Sequence, residues 1–286
     1  MGYETNRQHD VADLPQSGLL GPLQGAQSPM AKHMATAIEG ARLEWLPYPH
    51  IVVPNIFPDD VYENIHKLNP FAVTEGHEWM KKGEAPASRA LTPYHHRRQV
   101  NFPQDLNGME PEMGVFWAQM YLDLIQGPWF LQSLVQKFQP YFLMRFGELL
   151  LDPQFPAMLN REHFLQIHDD GYFIGPHTDV PSRILTCLFT FAPDESQHEW
   201  GTVLYRHKDK LARCSGRRHY GFEDFDEVKT ATYRPNQLFV FAKTPSAFHA
   251  VKPLPPGLPG KRYGMQVQFY EMGKYKLRDL SDGATD

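Results

Sequence analysis

The sequence has little cysteine, no long apolar run and no excess of positive charge. Cys187 and Cys214 are its two cysteines among 286 residues, too few for a disulfide framework, so we expect a reducing, cytoplasmic setting. No stretch approaches the roughly 20 apolar residues that a membrane-spanning helix needs, and the first residues lack the basic start and apolar core of a secretory signal. The formal net charge of -5 argues against nucleic acid as a partner.

The order of polar, helical and strand-like segments predicts one domain behind a flexible tail. Residues 1–44 are polar and rich in Gly, Gln and Ser, which is typical of a loosely held segment, with one short helix expected near Met34–Arg42. Residues 45–280 are expected to form a single domain. Its helices should lie mainly within 57–146, where apolar residues recur at helical spacing. Its strands should lie within about 160–272, as short runs separated by Gly, Pro and Asp.

A histidine and an aspartate two residues apart follow a glycine-rich turn in GYFIGPHTDV. In a strand, residues i and i+2 point to the same face, so His177 and Asp179 could converge on one cation. Their nitrogen and oxygen donors suit Fe(II), Mn(II) or Zn(II). A third ligand is available in His249, which follows an apolar strand and a short turn in FVFAKTPSAFH. A second pair of this kind begins at His168, but Asp and Gly favour a turn over 169–171.

The segment KRYGMQVQFYE, residues 261–271, alternates between apolar and polar side chains. Its apolar face would pack in a core. The polar face would lie either in water, on a surface strand, or inside a barrel, where it would line a pocket. The residues alone leave both alternatives open. The residues that share the polar face are Arg262, Gly264, Gln266, Gln268 and Tyr270.

Taken together and in this order, these segments resemble the 2-oxoglutarate- and Fe(II)-dependent dioxygenases of the prolyl-hydroxylase-like type. The resemblance covers about residues 160–272, with a weaker echo in 48–62. It rests on the glycine-rich approach to HTD, the strands RILTCLFTF and WGTVLY, the strand before His249, and Arg262. It implies an α+β fold built on a double-stranded β-helix, a jelly-roll (cupin-like) barrel open at one end, with supporting helices on its outer face.

The resemblance also implies a role for several residues. His177, Asp179 and His249 would bind Fe(II) as the catalytic centre, with 2-oxoglutarate and O2 as co-substrates. Arg262 would hold the far carboxylate of 2-oxoglutarate through its planar fork, and Lys261 would take that role if the register were shifted. Further candidates for the co-substrate pocket are Thr190, Thr186 and Gln166. The two threonines could equally form hydrogen bonds within the sheet.

Three arginines are candidates for substrate contacts. Arg183 lies just past the metal pair, and Arg97 and Arg98 belong to the basic cluster HHRRQ. The cluster could meet an anionic substrate near the mouth of the barrel, or it could be a solvated face.

The polar insertion at 206–228 separates two strand-like runs and is long enough to be a lid. Three arginines in it, Arg213, Arg217 and Arg218, could face a carboxylate or a phosphate. They could instead neutralise the acidic residues that follow them in the chain.

The predicted function is hydroxylation of a small molecule, such as an amino acid, a sugar acid or a biosynthetic intermediate, with release of succinate and CO2. The carboxylate ligand Asp179 makes hydroxylation the default within the family resembled, with desaturation and epimerisation as variants. A peptidyl hydroxylase of the same type is an alternative. A cupin-like barrel that binds a metal or a ligand without catalysis is another.

Overall fold

The helices come first along the chain, and most of the strands follow. The computed structural model describes residues 26–72, 81–82, 96–152, 155, 159–214, 216, 218–257 and 261–271. The α-helices within these ranges are α1 (Pro29–Gly40), α2 (Asp59–Lys67), α3 (Pro111–Met120), α4 (Pro128–Lys137) and α5 (Gln139–Phe146). None of these described helices is long and apolar enough to cross a membrane. The cytoplasmic setting stays a prediction.

The strands form two antiparallel sheets. The larger sheet has the order β1-β9-β6-β11-β4-β3-β2, and the smaller one has the order β5-β10-β7-β8. Two antiparallel sheets that enclose a common interior make a jelly roll, so the predicted fold class is confirmed. The strands are β1 (His50–Pro54), β2 (Lys81–Lys82), β3 (Arg97–Asn101), β4 (Leu159–His168), β5 (Ile174–His177), β6 (Arg183–Thr190), β7 (Thr202–His207), β8 (Phe225–Ala231), β9 (Gln237–Ala242), β10 (His249–Val251) and β11 (Arg262–Glu271).

The central strands of the larger sheet bury one face against the helices and turn the other towards the barrel interior. On β11, Met265 and Val267 lie in the main apolar core, which the helices share. Burying an apolar side chain of this size stabilises the fold by about 1.5–3 kcal/mol. The polar residues Arg262, Gln266 and Gln268 line an internal cavity. The alternating segment is therefore a barrel strand, and its polar face is the wall of a pocket.

The described part of the predicted tail contains an ordered helix. Ser28 caps α1 by accepting a hydrogen bond from the N–H of a residue in its first turn. Met30, Met34 and Ile38 recur every fourth residue and are buried, and α1 packs against α4. A short helix was predicted near Met34–Arg42. The helix α1 begins five residues earlier, at Pro29, and its apolar stripe packs it onto the core. The flexible tail stays a prediction for the residues before it. The first 25 residues lie outside the described ranges.

Candidate metal centre

Three side chains from distant parts of the chain meet at one end of the barrel. His177 ends β5, Asp179 lies in the loop just past it, and His249 begins β10. Antiparallel pairing sets His249 opposite His177, and their rings lie 4.3 Å apart between centroids. One ligand atom from each of the three residues lies within 4.8 Å of the others. The three groups are therefore close enough to share one ion, as the resemblance implies.

Backbone carbonyls orient both imidazoles. Nδ1 of His177 lies 2.9 Å from the carbonyl oxygen of Gly175, and Nδ1 of His249 lies 3.0 Å from that of Ala247. A carbonyl only accepts, so each Nδ1 carries the proton and each Nε2 keeps its lone pair. Burial lowers the pKa of His177 and that of His249. Both rings are therefore held neutral, which is the form that binds a metal.

Two neighbours on opposite sides hold the Asp179 carboxylate. Nη1 of Arg183 donates to Oδ1 at 2.5 Å, and the hydroxyl of Thr186 donates to Oδ2 at 2.6 Å. Burial alone would raise the pKa of Asp179, but the charge of Arg183 and the hydrogen bond from Thr186 outweigh burial and lower the pKa. The carboxylate is therefore ionised. Its Oδ1 lies 3.9 Å from Nε2 of His249. This oxygen is therefore the one placed to share an ion with the histidines.

The hydroxyl of Thr186 is bonded to Asp179, whereas the sequence analysis considered Thr186 as a contact of 2-oxoglutarate. We expect Thr186→Val to weaken Fe(II) binding by roughly 10- to 100-fold, the usual effect of losing a partner that orients a metal ligand. The KM for 2-oxoglutarate, measured at saturating iron, should change little. Anaerobic Fe(II) titrations of the two proteins check the first expectation.

The control is Thr190→Val, the same substitution on the same face of β6. The hydroxyl of Thr190 donates to the carbonyl of Arg234 at 2.7 Å, away from the metal ligands, so its loss should leave iron affinity unchanged. If Thr186→Val instead raised the KM for 2-oxoglutarate and left iron affinity intact, Thr186 would belong to the co-substrate pocket.

A buried guanidinium lies at the other end of the cavity. Nε of Arg262 donates to the carbonyl of Trp200 at 2.8 Å, and Nη1 donates to Nδ1 of His168 at 3.0 Å. Nη2 lies 3.4 Å from the hydroxyl of Thr202, and the group lies 5.6 Å from the centre of the Tyr233 ring. Each of these partners is neutral, and burial lowers the pKa of Arg262. Because arginine keeps its proton and a buried charge is normally paired, the site suits an anion.

The smaller sheet shows how far this guanidinium lies from the metal ligands. Thr202, which contacts Arg262, is two residues along β7 from Leu204, and Leu204 pairs with His249. Two residues along a strand span about 6.6 Å. The cavity between the two ends has a volume of about 320 Å³. The arrangement therefore suits a short dicarboxylate that reaches from a metal to Arg262.

Three other residues predicted to contact ligands face this cavity. Gln166, Arg97 and Arg183 are among the residues that line it. Gln166 lies on the inner face of β4 and makes a long hydrogen bond of 3.4 Å to Gln266. Arg97 lies on the inner face of β3 and is half-buried. Arg183 is held on the carboxylate of Asp179, and the substrate contact predicted for it stays a prediction.

Two predicted residues are directed elsewhere. The hydroxyl of Thr190 is taken by a backbone carbonyl at the turn before β9, as the alternative of a bond within the sheet foresaw. Arg98 occupies the opposite face of β3 from Arg97, because successive strand residues alternate, and its Nη2 lies 3.3 Å from Asp169. The described structure therefore gives both side chains a part in the fold, and neither lines the cavity.

The second histidine-aspartate pair is used for other purposes. His168 is the hydrogen-bond partner of Arg262. Asp170 accepts a hydrogen bond from the N–H of Gly257 at 3.1 Å, which agrees with a turn role. Asp169 forms an ion pair with Lys261 at 3.0 Å. Because Lys261 is exposed and paired there, the structure places Arg262 and not Lys261 in the cavity.

The insertion at 206–228 is docked on residues 176–179, which carry two of the three candidate ligands, His177 and Asp179; we call this segment the metal-binding loop. The N–H of Tyr220, which lies in the insertion, donates to the carbonyl of Pro176 at 2.9 Å. The carbonyl of Cys214 accepts from the hydroxyl of Thr178 at 2.9 Å. These contacts hold the residues on either side of His177. The described part of the insertion therefore braces the metal site, and a role as a lid stays a prediction.

The arginines of the insertion make local contacts. Arg213 is exposed and donates to the backbone carbonyls of Lys210 and Ala212. Arg218 lies over the ring of Tyr220, 4.7 Å from its centre, and Arg217 lies outside the described residues. Of the described part of the insertion, Gly216 is the residue that lines the cavity.

Gly216 fits tightly against the metal-binding loop. Its φ of +82° favours glycine, and a Cβ there would collide with the backbone of Asp179 and Val180. We expect Gly216→Ala to cost about 1–2 kcal/mol in backbone strain and also to displace Asp179, which lowers Fe(II) affinity. Thermal unfolding and anaerobic iron titration measure the two effects.

Gly257→Ala is the matched control. Gly257 has a φ of +70° and open space around its Cα, so the same strain arises without a collision. This variant should lose stability and keep its iron affinity. Equal iron affinities for the two alanine variants would show that Gly216 has no influence on the metal ligands.

Sequence reasoning missed a buried lysine that also supports the metal-binding loop. Lys243 is 5% exposed, and its ammonium donates to the hydroxyl of Thr178 at 3.0 Å. It also lies 3.4 Å from the carbonyl of Cys214. Thr178 stands between two metal ligands, so Lys243 ties that loop to the insertion. A lysine just after the apolar run FVFA is the only signal in the sequence, and it is a weak one.

Comparison of the sequence with models of protein families found no match, and neither did comparison with curated proteins. Among solved structures, a Pseudomonas putida prolyl-4-hydroxylase is similar at 14% identity, covering 84% of this chain and 100% of that one, with a TM-score of 0.47. A 2OG-Fe(II) oxygenase family oxidoreductase from Burkholderia pseudomallei is similar at 10% identity, covering 85% and 91%, with a TM-score of 0.41. HygX from Streptomyces hygroscopicus, with nickel and 2-oxoglutarate bound, is similar at 10% identity, covering 82% and 90%, with a TM-score of 0.41.

Proposed function

We propose that this protein is an Fe(II)- and 2-oxoglutarate-dependent dioxygenase that hydroxylates a small molecule. The observation that carries the proposal is a pair of complementary sites across one cavity. Two neutral imidazoles and a carboxylate converge at one end, and the buried Arg262, with neutral partners, lies at the other. A metal alone would account for the first site, and an anion alone would account for the second. A metal-chelating dicarboxylate accounts for both.

The donor set fits ferrous iron. Two histidines and one carboxylate on one side of an ion leave further coordination positions for other ligands, which is the arrangement used by non-haem Fe(II) oxygenases. His177 and His249 present Nε2 because their Nδ1 atoms are engaged with carbonyls. Asp179 is ionised between Arg183 and Thr186. These residues would hold the iron in this protein.

Arg262 would bind and orient the co-substrate. Its guanidinium can hold the far carboxylate of 2-oxoglutarate through charge-assisted hydrogen bonds, while the near end of the molecule reaches the metal. The apolar side chains of Ile174, Phe241 and Val251 in the cavity wall would exclude water from this part of the site.

When iron, 2-oxoglutarate and O2 are bound together, the metal supplies the oxidising chemistry that converts a C–H bond of the substrate to C–OH. One oxygen atom of O2 enters the product and the other enters succinate, and CO2 is released.

Succinate formation tests the proposal. The protein is incubated in air with Fe(II), ascorbate and 2-oxoglutarate, and succinate is quantified over time. We expect slow succinate release without added substrate, and we expect EDTA to stop it. A protein that binds Fe(II) tightly but consumes no 2-oxoglutarate would instead be a metal-binding barrel without this activity.

A further inference from the structure

One wall of the cavity is built from side-chain amides. Gln99 on β3, Gln166 on β4, and Gln266 and Gln268 on β11 all line it. Strand register places them side by side, because β4 pairs with β3 through Gln166 and Gln99, and with β11 through Gln166 and Gly264. We call these four residues the amide wall. Small-molecule sites are usually lined mainly by apolar side chains with a few polar groups, so this wall is unusual.

Most of the hydrogen-bonding capacity of the amide wall is unused by the described protein. Each carboxamide offers two N–H donors and an acceptor oxygen. Gln166 donates to Gln266 at 3.4 Å, and the carboxamide of Gln268 lies 2.8 Å from the hydroxyl oxygen of Tyr270. Gln166 and Gln268 are 6% and 2% exposed. Polar groups buried to this extent are normally paired, so a ligand that enters the cavity has to satisfy them.

The co-substrate is poorly matched to these amides. If the proposed function holds, its two polar ends are taken by the metal and by Arg262, and two methylene groups lie between them. An apolar substrate would leave the amides without partners, and each buried polar group left unpaired weakens binding by roughly tenfold. The amide wall therefore selects a partner that carries many donors and acceptors.

Charge at the end of the cavity away from Arg262 argues against an anionic substrate. Arg97 also lines the cavity, but it lies at the Arg262 end, since both arginines pair with His168. Glu162 lies at the other, exposed end and accepts a hydrogen bond from Tyr270 at 2.6 Å. Arg183, a further lining cation, is held on Asp179 and Tyr270. The end of the cavity away from Arg262 therefore presents amides and a carboxylate, which suit hydroxyl groups and an amino group.

We propose that the substrate is a polyhydroxylated small molecule of the sugar or cyclitol class, neutral or bearing an amino group, bound with its hydroxyls on the amide wall. Phe241 also lines the cavity, 4.5 Å from the ring of His249, and the C–H face of a sugar ring would pack there. This inference rests on the proposed function and names the substrate class for the same site. It departs from the anionic substrate considered from the sequence.

The test uses the full chain loaded anaerobically with Fe(II) and 2-oxoglutarate. The complex should show a visible charge-transfer band, and a compound that binds beside the metal should perturb that band. The probes are cyclitols, monosaccharides and their amino derivatives, compared with cyclohexanol and cyclohexanecarboxylate. We expect at least one hydroxyl-rich probe to perturb the band at a concentration at least tenfold lower than either comparison compound, and to accelerate succinate release in air.

Variants of the amide wall complete the test. Gln266 is half-exposed, so Gln266→Leu should fold, and it should weaken the response to the hydroxyl-rich probe at least tenfold. Gln268→Leu should also weaken the response to the hydroxyl-rich probe. Gln126→Leu, at an exposed position outside the cavity, should leave the response unchanged.

Two results would overturn the inference. One is a charge-transfer band that none of the hydroxyl-rich probes perturbs, or that cyclohexanol or cyclohexanecarboxylate perturbs more readily. The other is a full response to the probe in the Gln266→Leu and Gln268→Leu variants. The absence of the band itself would contradict the proposed function instead, so the two failures are distinguishable.

Discussion

His249→Ala is expected to lose stable Fe(II) binding, and with it all turnover of 2-oxoglutarate. His249 offers one of the three candidate ligand atoms, and its Nδ1 bond to Ala247 directs Nε2 towards the other two. Loss of a partner that merely orients a ligand costs roughly 10- to 100-fold in metal affinity, so loss of the ligand itself should cost more. Anaerobic Fe(II) titration and a succinate assay measure the two losses.

His163→Ala is the matched control for this change. His163 is half-buried, and its Nε2 contacts a backbone carbonyl, that of Phe102, at 3.0 Å, but it lies outside the candidate metal centre. Its loss should alter stability without altering iron affinity. If His249→Ala bound Fe(II) and decarboxylated 2-oxoglutarate as the parent does, His249 would not be a ligand.

Arg262→Leu is expected to raise the KM for 2-oxoglutarate by about 100-fold or more, with iron affinity retained. A hydrogen bond to a charged group contributes about 1.5–3 kcal/mol, and a forked contact makes two of them. Leucine replaces the charge with a side chain that also fits a buried position. Steady-state kinetics of succinate formation at saturating Fe(II) give the KM.

Two further variants identify the cation. Arg262→Lys should recover part of the affinity, because the charge is kept and the fork is lost. Lys261→Leu should leave the KM unchanged, since Lys261 is exposed and pairs with Asp169. A steep rise in KM for Lys261→Leu, with no rise for Arg262→Leu, would move the carboxylate site to Lys261.

The three candidate ligands could be selected from the sequence because their chemistry appears in short local patterns. His177 and Asp179 are two residues apart, and His249 follows a readable strand and turn. The alternation of 261–271 predicted which residues of β11 share a face, since a strand has a period of two, but not whether the polar face lines a pocket. Asp179 departs from the strand geometry assumed for it, because it lies in the loop just past β5.

The partners of the ligands could not be found in the same way, because they depend on contacts between distant segments. Thr186 and Thr190 share a face of β6, and the sequence does not distinguish them. In the structure, the first holds Asp179 and the second holds a carbonyl before β9. Lys243 reaches Thr178 across 65 positions of the chain. Such contacts arise from the closure of the barrel, which no local periodicity encodes.

The extent of α1 could be predicted only in part. A short helix was expected near Met34–Arg42, but the buried stripe of Met30, Met34 and Ile38 extends it back to Pro29. Burial of these side chains and the capped first turn stabilise the helix on the core.

The most direct test of the account is a crystal structure of the protein soaked anaerobically with Fe(II) and 2-oxoglutarate. An anomalous map at the iron edge should show one peak about 2.0–2.2 Å from Nε2 of His177, Nε2 of His249 and a carboxylate oxygen of Asp179. Density for 2-oxoglutarate should extend from that peak to Arg262. An iron peak at any other place, or density for 2-oxoglutarate that does not reach the metal, would contradict the account.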